Sequence, residues 1–356
     1  MKLSGAVAIL FLSAVTAMAY PRPLQGTEDI PKLFAEATLV CKGEVTSAPK
    51  PVPVFDAPRL TGTATVRVDR CFKGDPGGTV IRVAVDNFLP PAGGPVFVLD
   101  LGDYRLFFLK PLDGRYTVVD PWSGVLATSR KVAHVPDGSD TMLSLELDLK
   151  AGLHDRDPER VLDSIRMLGN MRTLRSNAEL KTLLTTHDLL VKTYVWQALL
   201  RLKDYSVLPA VVRFFAIQRE APRRMILGRD RLLFMQGELI REVGNIRSSD
   251  AVPYLEKFAL SKNRLLRMEA LQALRQIGSL HSIPVFLSEL DDPDPDNGFS
   301  AMQGLLSLRA ADSVIDWVPT GEVFRQSPKF YAAKTREWWW KESKKAPGFP
   351  QSMHVN

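Results

Sequence analysis

Cysteine and histidine are scarce in this chain. Two cysteines in 356 residues, Cys41 and Cys71, exclude a disulfide-dense scaffold and a cysteine-rich zinc module. The five histidines (His134, His154, His187, His281 and His354) are scattered, with no metal-ligand spacing. A nucleophile elbow, a phosphate loop and a glycine-rich dinucleotide turn are all missing. No catalytic residue and no cofactor are therefore expected. Beyond the first twenty residues there is no uninterrupted apolar run of about 18, the length a membrane-spanning helix needs.

What is present is an asymmetry of charge. The net charge is +6. Residues 20–155 carry 15 Lys/Arg against 17 Asp/Glu, and residues 156–356 carry 30 against 23. The basic excess thus belongs to the second half. It fits an acidic protein or an acidic envelope polymer better than nucleic acid, because the chain begins like an exported one. Lys2 precedes the apolar run Ala6–Val15, and Ala17-Met18-Ala19 has the small residues of a cleavage site. A signal peptide over 1–19, cut before Tyr20, is expected, with a periplasmic or extracellular destination. In that setting Cys41 and Cys71 are expected to pair. The bond would close a loop of about 30 residues and contribute roughly 3–4 kcal/mol by loop entropy.

Residues 20–135 read as a small β domain. Leu39, Cys41, Gly43 and Val45 alternate with Lys42, Glu44 and Thr46, as in a half-buried strand. A second strand runs through Ala64, Val66 and Val68, a third over 79–85, and a hairpin turns at Asp113-Gly114. Simple alternation puts Cys71 on the face opposite Val66 and Val68, so pairing with Cys41 requires a bulge near Asp69-Arg70. Phe72, Tyr104, Phe107, Phe108 and Tyr116 read as core. The phrases "ATLVCKGEVTSA", "TATVRVDRCFKGDPGG" and "YRLFFLKPLDGRYTVVDP" resemble a bacterial netrin-like domain, which implies an OB-type β-barrel. Some netrin-like domains inhibit metalloproteases through a cysteine at the mature N-terminus. Here the first cysteine is Cys41, well inside the chain.

From about Asp140 the period becomes helical, and the sequence repeats. "QALLRLKDYSVLP" (Gln197–Pro209) and "QALRQIGSLHSIP" (Gln272–Pro284) share one spacing from helix to proline. "LIREVGNIRSSDAVP" reads as a third copy with a turn three residues longer. "GLLSLRAADSVIDWV" reads as a fourth, with Ile315 in place of proline. Asp157-Pro158 and Asp294-Pro295 open equivalent helices. These elements, "NRLLRMEALQALRQIGSLHSIPVFLSELDDPDPD" above all, resemble HEAT-like repeats of the phycobilisome-lyase type. The resemblance implies an α-solenoid over 136–345. The second helices, near 207–215, 251–259 and 283–290, are expected to line its concave side. A capping helix carrying Trp338-Trp339-Trp340 closes the series, and 346–356 reads as a flexible tail.

Two candidate sites remain. Asp292, Asp294 and Asp296 alternate as in a calcium loop, but Gln303 stands where the closing glutamate belongs and Gly298 is one place late. An acidic turn capping the next helix explains the same residues. Arg219, Arg223, Arg224, Arg229 and Arg231 form the densest basic stretch and are binding candidates. A solvated run paired with Glu220, Asp230 and Glu238 is the alternative. The functional expectation is an exported, non-catalytic scaffold whose helical surface binds a protein or an acidic polymer. A protease-inhibitor-like module and an envelope enzyme are the competing readings.

Overall fold

A computed structural model describes residues 28–49, 59–88, 99–136, 138–217, 226–308 and 317–343. The expected signal peptide, the tail at 346–356 and the repeat copy carrying Ile315 lie outside these residues. Helix α1 (Ile30–Glu36) comes first, with the Asp29 side chain accepting from the Lys32 amide at 3.2 Å and Pro31 in the first turn. Strands β1 (Leu39–Ser47), β2 (Arg59–Lys73), β3 (Val80–Phe88), β4 (Tyr104–Leu112), β5 (Arg115–Val118) and β6 (Val125–Ala127) follow. Their order is β1-β2-β3-β5-β4, and β1 also pairs with β4. Five strands thereby close into a barrel, with β3 and β5 parallel at Val83 and Tyr116. This is the strand order of an OB-type barrel. β6 extends the sheet beside β4. The β4–β5 hairpin turns on Asp113 and Gly114, both at positive φ, which an Asp-Gly pair allows.

The cysteines pair across β1 and β2 as a disulfide. The register shows how. Lys42 faces Arg70 and Gly43 faces Val68, so Asp69 is an extra residue. A second slip, at Phe72, lies between Cys41 opposite Cys71 and Val40 opposite Lys73. The expected bulge near Asp69-Arg70 is there, joined by one that alternation alone does not announce.

Both faces of β1 and β4 contribute to a buried core. Leu39, Cys41, Val45, Phe107 and Leu109 fill the barrel with Val66, Ile81 and Val83. Val40, Leu106 and Phe108 point outward and join Ile30, Leu33 and Phe34 of α1. That outer layer is continuous with Leu145 and Leu149 of α2 (Thr141–Gly152) and with the helices beyond. One core therefore runs from the barrel wall into the helical half.

The remaining helices are α3 (Pro158–Asn170), α4 (Asn177–Thr182), α5 (Leu189–Arg201), α6 (Leu208–Ile217), α7 (Ile226–Ile246), α8 (Val252–Ala259), α9 (Arg264–Ile277), α10 (Ile283–Glu289), α11 (Pro295–Ser307), α12 (Gly321–Gln326) and α13 (Pro328–Ser343). Helices α3, α5, α7, α9 and α11 pack side by side in one row. Of the short second helices, α8 packs mainly on α9 and α10 mainly on α11. Close approach within the row is built from small residues. A Cβ on Gly169 would meet Ala198 at 2.7 Å, and one on Gly244 would meet Ala273 at 2.6 Å.

The repeat is sharper in the backbone than in the letters. The non-glycine residues Arg172, Lys203 and Arg247 have φ between 57° and 61°, and Gly278 has φ 69°. Each follows the end of a row helix, as a left-handed C-terminal residue does. A 3-10 turn then leads into each second helix, at Leu174–Ser176, Tyr205–Val207, Ser249–Ala251 and Leu280–Ser282. Proline stands six residues beyond Lys203, Arg247 and Gly278 alike, at Pro209, Pro253 and Pro284. The third copy is therefore the same length as the others, not three residues longer. Arg247 in a position where glycine is usual conceals the match.

Row-helix starts repeat as well. Asp157 accepts from the Glu159 amide at 2.9 Å, and Asp294 from the Asp296 amide at 3.0 Å. Asp188 and Asn263 cap α5 and α9 in the same manner. At the far end α12 and α13 cover α11, with Phe324, Ala332 and Trp339 in the core. Of the three tryptophans Trp339 is buried, Trp338 packs against the core, and Trp340 is 45% exposed.

Candidate functional site

The face of the row turned away from the second helices is polar, and the repeat dictates why. Counting back from each left-handed residue, apolar side chains fall one, four and seven or eight places earlier. Leu168 and Met171, Leu199 and Leu202, Val243 and Ile246, and Leu274 and Ile277 are examples. The positions two, six and nine places back lie on the opposite side of a 3.6-residue helix. They hold Asn170, Arg166 and Asp163 in α3, Arg201 and Gln197 in α5, Asn245, Arg241 and Glu238 in α7, and Gln276, Gln272 and Glu269 in α9.

These groups bond from helix to helix. Glu28, just ahead of α1, accepts from Arg166 at 2.9 Å and from Asn170 at 3.0 Å. Asn170 accepts from Arg201 at 3.0 Å, and Arg201 donates to Glu242 at 2.6 Å. Gln197 donates to Glu238 at 3.2 Å. Arg241 pairs with Glu238 and lies 3.5 Å from Glu269. Burial pushes the Glu269 carboxyl up, and Arg241 opposes the shift. Within this face a cleft of about 400 Å³ opens where α3, α5 and α7 end. Glu28, Asn170, Arg172, Arg201, Lys203 and Tyr205 form one side, and Glu242, Asn245 and Ile246 the other. The cleft thus lies at the C-terminal ends of the first helices.

The acidic turn between α10 and α11 is occupied by arginines. Arg267 grips Asp292 with two bonds, at 2.6 and 3.0 Å. Arg264 takes Asp294 and reaches Asp296 at 3.3 Å, and Arg325 donates to Asp296 at 2.7 Å. Arg336 pairs with Asp291. Asp292 and Asp294 also accept from the amides two places on, which organises the turn and caps α11. Beside Asp292, burial and then the neighbouring carboxyl raise Glu289 to about 7. No group of three or more His, Cys, Asp or Glu side chains among the described residues is placed to hold a metal ion.

Arg219, Arg223 and Arg224 lie outside the described residues, as does the side chain of Arg229 in α7. Arg231 donates to the Glu159 carboxylate at 2.6 Å and to the Tyr194 hydroxyl at 3.2 Å. These partners come from α3 and α5, other helices of the row.

A third polar centre joins the two halves. Lys42, on the outer face of β1, is 1% exposed. Its ammonium pairs with the buried Asp148 of α2 and donates to the Lys131 carbonyl at 2.5 Å. Arg70 reaches the other Asp148 oxygen at 3.2 Å, and the Ala133 amide donates to it at 3.3 Å. Burial lowers the Lys42 pKa, with Asp148 opposing. Alternation marks Lys42 as a solvent-side residue, and nothing local in the sequence announces that a helix covers it.

Comparison with known families bears on the row directly. Residues 235–305 match the family model of HEAT repeats. The match begins in α7, takes in α8, α9 and α10, and ends in α11, a stretch that holds two of the four equivalent turns, at Arg247 and Gly278, and the Gly244–Ala273 approach. The HEAT-type unit, a helix pair that cannot cover its own apolar face and stacks to do so, accounts for the geometry of this region. No curated protein matches the chain. No described helix is long and apolar enough to cross a membrane.

Proposed function

We propose that this protein is an exported, non-catalytic scaffold that binds a protein partner on the polar face of its helical row. The observation carrying this reading is the cleft at the ends of α3, α5 and α7, set in a face where Glu28, Arg166, Arg201 and Glu242 are held by their neighbours. A rigid surface of this kind binds with little ordering cost. Helical-repeat surfaces of HEAT type commonly serve such contacts. The apolar start at Ala6–Val15 and the Cys41–Cys71 disulfide support an oxidising destination. The netrin-like character of the barrel belongs to the same proposal, with the barrel anchoring the row.

The test is to purify a complex from the native envelope fraction and map it by hydrogen exchange. Protection at the C-terminal ends of α3, α5 and α7 is expected. Protection confined to β2 and β3 would move the binding function to the barrel and end this reading.

A further inference from the structure

The chain already holds one acidic pair on the first repeat, and this shows how the row receives carboxylates. Glu28 lies on Arg166 and Asn170, and Asp29 lies 2.9 Å from Arg172. Those three partners stand six and two places before the left-handed position and at the left-handed position itself. In the next repeat the same positions are Gln197, Arg201 and Lys203. In the one after they are Arg241, Asn245 and Arg247.

The left-handed position therefore carries a cation in three successive repeats: Arg172, Lys203 and Arg247. All three are exposed. Asp29 takes the first. Among the described residues, no carboxylate lies within ion-pair distance of Lys203 or Arg247. A long side chain at positive φ is disfavoured relative to glycine, by roughly 1–2 kcal/mol. Three in register form a departure that favourable interaction with a helix C-terminus offsets only in part.

Resting on the scaffold reading above, the geometry points to an acidic, extended peptide segment of the partner as the ligand of this row. It runs from the cleft across Lys203 to Arg247 and repeats what Asp29 does on Arg172. Adjacent packed helices lie about 8–10 Å apart. An extended strand advances about 3.3 Å per residue, so acidic side chains about three residues apart meet successive cations. Tyr205 and Ile246, both on the cleft wall, offer an apolar shelf between the charges. Glu242 does not repel the segment, since Arg201 neutralises it at 2.6 Å.

The test uses the full oxidised chain and a fluorescein-labelled peptide of about nine residues with aspartate at every third place. Anisotropy is read at low and physiological salt. Binding that weakens with salt is expected, and the asparagine version of the peptide should not bind. The double variant K203G/R247G should weaken binding at least about fivefold while its melting temperature holds or rises, since glycine suits the left-handed position. The charge-keeping pair K203R/R247K should bind like the parent. Equal binding by the glycine variant or by the asparagine peptide would overturn the inference. So would binding of an alginate oligomer in place of the peptide. A natural partner retained undiminished by K203G/R247G would remove this inference and leave the scaffold reading intact.

Discussion

Replacing Lys42 with methionine removes one ammonium and keeps most of the side-chain volume. Asp148, about 2% exposed, would then keep only Arg70 at 3.2 Å and the Ala133 amide at 3.3 Å. The carbonyls of Lys131 and Ser129 would lose their donor. Breaking a buried pair from one side costs about 3–5 kcal/mol. Arg70 remains and is itself partly exposed, so the lower end, about 3 kcal/mol, is expected. Asp148→Asn should cost a similar amount, because it leaves Lys42 charged and buried. The double variant Lys42→Met with Asp148→Leu takes both charges away and should cost less than about 2 kcal/mol. Guanidinium unfolding of the oxidised chain, followed by tryptophan fluorescence and by far-UV circular dichroism, measures all three. Because barrel and helices share a core, both probes should give one midpoint in the parent. Additive single-variant losses, or a single-variant loss under about 1 kcal/mol, would refute the account of Lys42–Asp148 as a coupled buried pair.

Three further outcomes follow from the packing and the charges. Glu289 titrates near 7 in the folded chain, above its ordinary 4.5. Its stabilising contribution is therefore complete below pH 4.5 and fades as pH rises through about 7, by at most about 3 kcal/mol. Thermal melts from pH 5 to 8 should show that decline, and Glu289→Gln should flatten it. Gly244→Val should cost about 2–4 kcal/mol in chemical unfolding, because the Cβ meets Ala273 backbone at 2.6 Å inside the row, and a neutral result would mean the helices can separate freely. Reduction of Cys41–Cys71, whose loop spans 30 residues, should lower stability by about 3 kcal/mol, read as a shift in the unfolding midpoint with and without reductant.

The sequence carries the fold unevenly. Strand alternation, the Asp113-Gly114 turn and the Asp-Pro helix starts are local signals, and each has its expected place in the structure. The double slip of β2 at Asp69 and Phe72 is only half legible, because the second bulge is set by what Phe72 packs against. The repeat period was legible through proline spacing, yet Arg247 hid one copy by standing where glycine would have marked it. The candidate site was less visible. The acidic turn drew attention by composition, but its arginine partners Arg264, Arg267, Arg325 and Arg336 are contributed from elsewhere in the fold. The polar face of the row combines residues two, six and nine places before each left-handed position. That signal exists in the letters, but it can be read only once the four turns are in register. Lys42 had no signal at all, since its burial depends on a helix about a hundred residues away.

The shared core also limits how this chain can change in length. Barrel and α2 fit one end of the row, and α12 with α13 fits the other. A repeat added at either end would meet a surface shaped for something else and would expose apolar area there. A repeat duplicated between α7 and α9 would instead find a left-handed turn and a 3-10 lead-in of the same geometry on both sides. Length variants are therefore expected to arise in the middle, with each insertion lengthening the row of left-handed positions by one step and leaving the two fitted ends untouched.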